Sequence, residues 1–247
     1  MGMDDVGVAE AAARAAAEAL RELRSRGELS GRALGDAGDA AAQRAIVATL
    51  AEHRPDDVVF SEEAVDDRRR LSADRVWIVD PLDGTREYGE AGRHDWAVHV
   101  ALWTGGDLTD AAVALPGLDE VLLTSPAPVL PDRPEGPVRI AVSRSRPPVE
   151  ASAVAEALGA ELVPLGSAGY KTVAVARGEV DAYVHSGGQY QWDSAAPVAV
   201  ARAAGLITVR IDGSPLVYNG PDPWLPDLVV CRPELASSVL AAVRPHA

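Results

Sequence analysis

The stretch Trp77-Ile78-Val79-Asp80-Pro81-Leu82-Asp83-Gly84-Thr85 carries an apolar run straight into two acids, a proline and a glycine. With Val76, the run reads as a buried strand that ends at Asp80. Pro81 and Gly84 then break it. A strand end followed by such a turn can bring both carboxylates and the Leu82 carbonyl to one point. Hard cations such as Mg²⁺ take that kind of oxygen-only shell, at about 2.0–2.1 Å. Without a cation, two carboxylates held so close would repel, and one would protonate. Gly84 frees the backbone to approach an oxyanion, and Thr85 sets a hydroxyl beside the turn. Alone, the fragment also fits a turn capped by Asp residues.

Working outward, more acids stand at element ends, where sites are usually built. Val58-Val59-Phe60 reads as a short strand leading into Ser61-Glu62-Glu63. Asp193, in Trp192-Asp193-Ser194-Ala195-Ala196-Pro197, stands at a helix start, where it also suits a cap. Asp39 opens a helix bearing Ile46, Val47 and Leu50, after an Ala-rich helix over 8–24. Arg68-Arg69-Arg70 reads as a solvated face. Strands are expected over 97–103, 111–115 and 121–124.

Residues 126–137 hold five prolines, which sets the expected boundary between an α+β half (1–130) and an α/β half (131–247). In the second half, strands at 139–142, 162–165, 182–184 and 206–211 alternate with helices at 149–158, 171–176 and 194–204.

The 247 residues are 47% hydrophobic, enough for one large domain or two joined halves. A net charge of −14 repels nucleic-acid polymers and anionic membranes, and 4% aromatics leave few rings for stacking bases. A small anionic ligand remains compatible if cations line its pocket. Cys231, the sole cysteine, suits a core position. The acidic N-terminus and the absence of a membrane-length apolar run point to the cytoplasm. Lys171 is the one lysine among 23 basic residues, so a compact ammonium is a candidate requirement there.

Several other chemistries fail on spacing. Tyr170 stands where a P-loop needs glycine before Lys171-Thr172. His94 and His99 are five apart, which suits neither a helix face nor a strand face for zinc. No G-x-S-x-G is present.

Taken together, Ser61-Glu62-Glu63, residues 80–88, Gly166-Ser167-Ala168 and residues 192–197 resemble the inositol monophosphatase superfamily of Mg²⁺-dependent, Li⁺-sensitive phosphatases. The likeness is greatest to its CysQ-type branch, which acts on 3′-phosphoadenosine 5′-phosphate in sulfur assimilation. The resemblance implies a layered αβαβα sugar-phosphatase fold and two to three Mg²⁺ ions. Glu62, Asp80, the Leu82 carbonyl, Asp83 and Asp193 resemble the metal ligands. The first ion is assigned to Glu62, Asp80 and Leu82, the second to Asp80, Asp83 and Asp193, and a third to Glu62 with waters. Thr85 resembles the hydroxyl that activates water together with an upstream Asp. Asp39 is the choice for that Asp, with Asp36 its rival in the shortened stretch Leu34-Gly35-Asp36-Ala37-Gly38.

Gly84, Thr85 and the Gly166-Ser167-Ala168 loop would surround the phosphate. Arg86-Glu87-Tyr88 resembles the branch's basic-acidic-aromatic triplet. Lys171 is placed to meet a second phosphate, and Ser143, Arg144 and His185 complete the substrate contacts. No Glu stands near His185, where the inositol-type enzymes are similar in carrying one. The implied reaction is hydrolysis to AMP. The alternatives are inositol phosphates, fructose 1,6-bisphosphate, or nucleotide sensing without turnover. A homodimer is also implied.

Overall fold

The computed structural model describes residues 2–243. The first layer is α1 (Asp5–Ser25) packed on α2 (Gly31–His53). α1 buries Val8, Ala9, Ala12, Ala13, Ala16, Ala17 and Leu20, a stripe at helical spacing. Its alanines are small enough to bring the helix close to the sheet beneath.

That sheet holds β1 (Val58–Ser61), β2 (Arg75–Asp83), β3 (Ala97–Thr104), β4 (Asp107–Leu115) and β5 (Glu120–Leu123), in sequence order. β1 is parallel to β2, and the remaining pairs are antiparallel. β2 is apolar throughout because both its faces are covered. Trp77 and Val79 pack with α1 and α2, while Val76 and Ile78 pack on the opposite side. Each such side chain contributes about 1.5–3 kcal/mol by leaving water.

Between the sheets lie α5 (Ala168–Ala176) and α6 (Ala195–Ala203), both nearly wholly buried. The second sheet has the order β7 (Glu161–Leu165), β6 (Arg139–Ser143), β8 (Ala182–Tyr190), β10 (Trp224–Cys231), β9 (Ile207–Val209). β6 is parallel to β7 and β8, and β10 runs against its neighbours. Its outer face packs on α4 (Val149–Leu158) and α7 (Ala236–Val243), with Cys231 buried there. The layers therefore run helix, sheet, helix, sheet, helix.

Four local readings are corrected. β2 continues through Pro81 to Asp83, because a register shift between Asp80 and Asp83 absorbs the proline. α2 begins at Gly31 after Ser30, so Asp39 lies two turns inside the helix. Arg70 is fully buried, with its guanidinium 4.0 Å from the Phe60 ring and bonded to Asp66, Asn219 and the Gly220 carbonyl. Asn219 binds the Arg70 carbonyl in return, which fastens the two sheets' loops together. β8 runs on through Gly187 and Gly188 to Tyr190, six residues past the expected end.

Candidate active site

The site forms where five elements end around the Asp80–Thr85 turn. Asp80 and Asp83 lie on the irregular end of β2, Glu62 follows β1, and Thr85 starts the short helix α3 (Thr85–Gly89). Asp193 closes a 3₁₀ turn before α6, and Ser167 caps α5. Gly84 makes the turn possible: its φ of 87° is left-handed, and an added Cβ would lie 3.0 Å from Ser167 Cβ.

One oxygen of each of Glu62, Asp80 and Asp193 falls within 4.8 Å of the others. The residues are far apart in sequence, so this convergence is a property of the fold. Asp80 is 1% exposed. Its Oδ1 accepts the Leu82 backbone N–H at 3.0 Å, while its buried Oδ2 has no hydrogen-bond partner. Burial raises the Asp80 carboxyl well above the usual range, and Glu62, Asp83 and Asp193 raise it further. Burial, then Asp83, lifts Asp193 to about 8. The same two causes lift Glu62 to about 7. No arginine is paired with these three acids among the described residues.

This arrangement fits a hard cation. The donors are carboxylates, the Leu82 carbonyl and a hydroxyl, and an orphaned buried oxygen is the signature of a missing partner. Asp193 was grouped with Asp80 and Asp83 from the sequence; its carboxylate oxygen falls within 4.8 Å of those of Glu62 and Asp80, and Asp83 forms a second such cluster with Asp80 and His99. Its carboxylate also accepts the Tyr190 N–H at 2.7 Å, so it caps the 3₁₀ turn.

Thr85 and Asp39 meet as expected. Thr85 Oγ1 donates to the Leu82 carbonyl at 3.1 Å and lies 3.5 Å from Asp39 Oδ1. Two glycines on one face of α2 permit the approach. A Cβ on Gly35 would come within 2.6 Å of Thr85 Cγ2, and one on Gly38 within 2.7 Å of Tyr88 Cε1. Burial, then Glu63 and Glu62, raises Asp39 to about 7. Asp36 is exposed on α2, 3.7 Å from Arg32, and the Thr85 hydroxyl contact goes to Asp39. One turn beyond Asp39, Gln43 accepts the Ser61 hydroxyl at 2.8 Å and so ties α2 to the segment bearing Glu62.

The expected substrate contacts divide. The Ser167 hydroxyl and the Ala168 and Gly169 N–H groups donate to the Asp83 carboxylate, and Gly166 N–H donates to Asp95. The loop thus holds the Asp83 carboxylate, and these donors are engaged within the protein. Lys171 is 4% exposed and donates to the Gly166 and Ser167 carbonyls, so it braces the loop from behind. Burial lowers its ammonium to about 8. Arg144 pairs with Glu87 and Glu90, and Arg86 pairs with Glu90. Gly84 and Thr85 line the turn itself. Ser143 and His185 line a separate cavity of about 380 Å³.

His99 was set aside in the sequence and is part of the site. It lies directly across from Asp80 in the β2–β3 ladder, fully buried. Its Nε2 is 3.5 Å from Asp83 Oδ2, and its Nδ1 is 3.1 Å from the Trp192 carbonyl. Only the strand register brings it there, and no spacing rule announces that. Burial lowers its pKa.

The chain matches the inositol monophosphatase family over residues 4–127 and 135–246. It is 49% identical to the 3′-phosphoadenosine 5′-phosphate phosphatase of Mycobacterium leprae, over 98% of this chain and 94% of that protein. It is 29% identical to the 3′(2′),5′-bisphosphate nucleotidase CysQ of Escherichia coli, covering 76% and 81% of the two chains. The crystal structure of CysQ from Bacteroides thetaiotaomicron superposes with a TM-score of 0.79 at 26% identity, covering 91% of this chain and 96% of that one. With acids, turn and layers in that arrangement, the chain belongs to the inositol monophosphatase family.

Proposed function

We propose that this protein is a Mg²⁺-dependent phosphomonoesterase that removes the 3′-phosphate of 3′-phosphoadenosine 5′-phosphate, giving AMP and phosphate. The observation that carries the reaction class is the meeting of Glu62, Asp80 and Asp193 beside the Thr85–Asp39 pair. The substrate rests on 49% identity to a phosphatase named for that ester.

Phosphate monoesters resist hydrolysis strongly, and enzymes accelerate the slowest of them by about 10²¹. Glu62, Asp80, Asp83, Asp193 and the Leu82 carbonyl would hold the divalent ions. When bound, such ions neutralise the acids and the phosphoryl group and lower the pKa of water. Asp39, at about 7, is a base matched to neutral pH. Thr85 Oγ1 lies 3.5 Å from Asp39 Oδ1; with its single O–H turned to that carboxylate it would accept the attacking water's O–H and pass a proton on to Asp39. The water oxygen bonds to phosphorus as the phosphorus–O3′ bond breaks, and the leaving oxygen takes up a proton. Asp83, held by the start of α5, keeps the second sheet docked against the turn.

Phosphate release is measured from this nucleotide, inositol 1-phosphate and fructose 1,6-bisphosphate, with and without Mg²⁺ and Li⁺. The reading expects Mg²⁺-dependent, Li⁺-inhibited release, fastest from the nucleotide. Release that survives complete chelation would overturn it. With Thr85 and Asp39 in contact, turnover is favoured over mere sensing.

A further inference from the structure

Asp80 belongs to the first sheet, whereas the 3₁₀ turn bearing Asp193 continues β8 of the second. A cation shared by the two acids requires the turn and the first sheet to be held at a fixed distance. The turn's other hydrogen bonds do not reach that sheet. Gln191 N–H donates to the Pro223 carbonyl, Gln191 Nε2 donates to the Asp222 carbonyl, and Gln191 Oε1 accepts the Asn219 N–H. The Ser194 hydroxyl meets the Tyr218 hydroxyl. These four partners all lie in the loop before β10. The Tyr190 N–H fixes the Asp193 carboxylate from within the turn itself. Among the described residues, one hydrogen bond ties residues 190–194 to the first sheet, and His99 makes it.

The ladder sets His99 opposite Asp80, so one strand pair carries both the acid and the tether. His99 Nδ1 is 3.1 Å from the Trp192 carbonyl, which belongs to the peptide leading into Asp193. A carbonyl only accepts, so Nδ1 carries a proton and donates. The ring is held in place: it is fully buried, and Gly169 packs directly on Nε2, where an added Cβ would lie 1.9 Å away. Nε2 has no hydrogen-bond partner and is 3.5 Å from Asp83 Oδ2, which already accepts from Ser167 and Gly169. That contact is packing, so the ring's hydrogen bond is the one at Nδ1.

We propose that His99 is a positioning residue: by holding the Trp192–Asp193 peptide to β3, it keeps Asp193 within reach of the cation that Glu62 and Asp80 bind. The inference rests on the metal-binding reading of the acids. Outer partners of metal ligands affect metal affinity by about 10- to 100-fold.

Three variants separate this role from plain packing. Asn places an amide N–H where Nδ1 stands, Gln places it further out where Nε2 stands, and Leu fills the space with no donor. Calorimetry gives the Mg²⁺ Kd of each protein, and phosphate release from 3′-phosphoadenosine 5′-phosphate gives the Mg²⁺ concentration for half-maximal rate. His99→Gln and His99→Leu should raise both by about 10- to 100-fold. At saturating Mg²⁺ their kcat should mostly recover, with KM for the ester little changed. His99→Asn should stay close to the wild type in both. Thermal unfolding in chelator reads the packing cost, which a merely structural role would move alone. Where His99→Leu fails to fold, the contrast between Asn and Gln decides. A wild-type Mg²⁺ Kd in His99→Gln, or a His99→Asn as weak as His99→Gln, would overturn the proposal. No Mg²⁺ binding by the wild type would instead overturn the metal reading beneath it.

Discussion

The two ends of β2 handle acids in opposite ways. At its start, Arg75 binds Asp5 and Asp57, Trp77 Nε1 also donates to Asp57, and Arg54 binds Asp5. Asp5 is accordingly held below the usual carboxylate range, its bonds to Arg75 and Arg54 outweighing burial. At its far end, Asp80 meets Glu62 and Asp193, with no arginine among them, and all three are raised. Within the nine residues of one strand, a closed ion-pair network gives way to an open one. The first is complete as folded. The second becomes complete only when cations arrive, so its stability cost marks it as functional.

The largest effect comes from removing one acid at each end. Asp80→Asn should lower phosphate release by about 10³-fold. It should also raise the thermal stability of the chelated protein, because the amide is neutral at every pH and removes a carboxyl whose ionisation burial and its acidic neighbours oppose. Asp57→Asn should do the reverse: about 1–3 kcal/mol less stability in urea titration, with kcat/KM within about twofold. Loss of activity in both, or of stability in both, would erase the contrast.

pH sharpens the same comparison. In the chelated protein, the folded state holds protons on Glu62, Asp39 and Asp193 that the unfolded chain releases above its ordinary carboxylate range. Their contribution is full below about pH 4 and is lost as pH rises through about 7 to 8. Asp5 behaves oppositely, stabilising above its ordinary range and ceasing to do so as pH falls through its lowered value. Urea unfolding at pH 5 and pH 8.5 should therefore show the chelated protein weaker at the higher pH. Saturating Mg²⁺ should remove most of that difference.

A smaller effect tests the approach of α2. Gly35→Ala puts a methyl against Thr85 and should lower kcat by about 10- to 100-fold with little change in KM. The smallest is Asp36→Asn. This exposed acid should leave both activity and stability unchanged, within about 0.5 kcal/mol, whereas Asp39→Asn should abolish turnover.

What the sequence disclosed follows from the range of the interactions involved. The helix Val149–Leu158 and the apolar half of β2 were legible because burial writes a local period. The acids of the turn were legible because chemistry concentrates them. The start of α2 was misplaced because Asp39 suits a cap, whereas Gly35 and Gly38 lie inside the helix and serve close packing against Thr85 and Tyr88. The buried Arg70 depends on Asn219, 149 positions away, and Lys171 on a loop carbonyl it meets only after folding. β10 and α7 went unread.

The most direct test is calorimetric titration of the metal-free protein with Mg²⁺ near pH 7, in buffers of different ionisation heat. Acids that sit protonated at that pH must give up protons as the ion binds. The account predicts saturable binding with net proton release, abolished by Asp193→Asn. Binding without proton release, or binding untouched by that substitution, would contradict it.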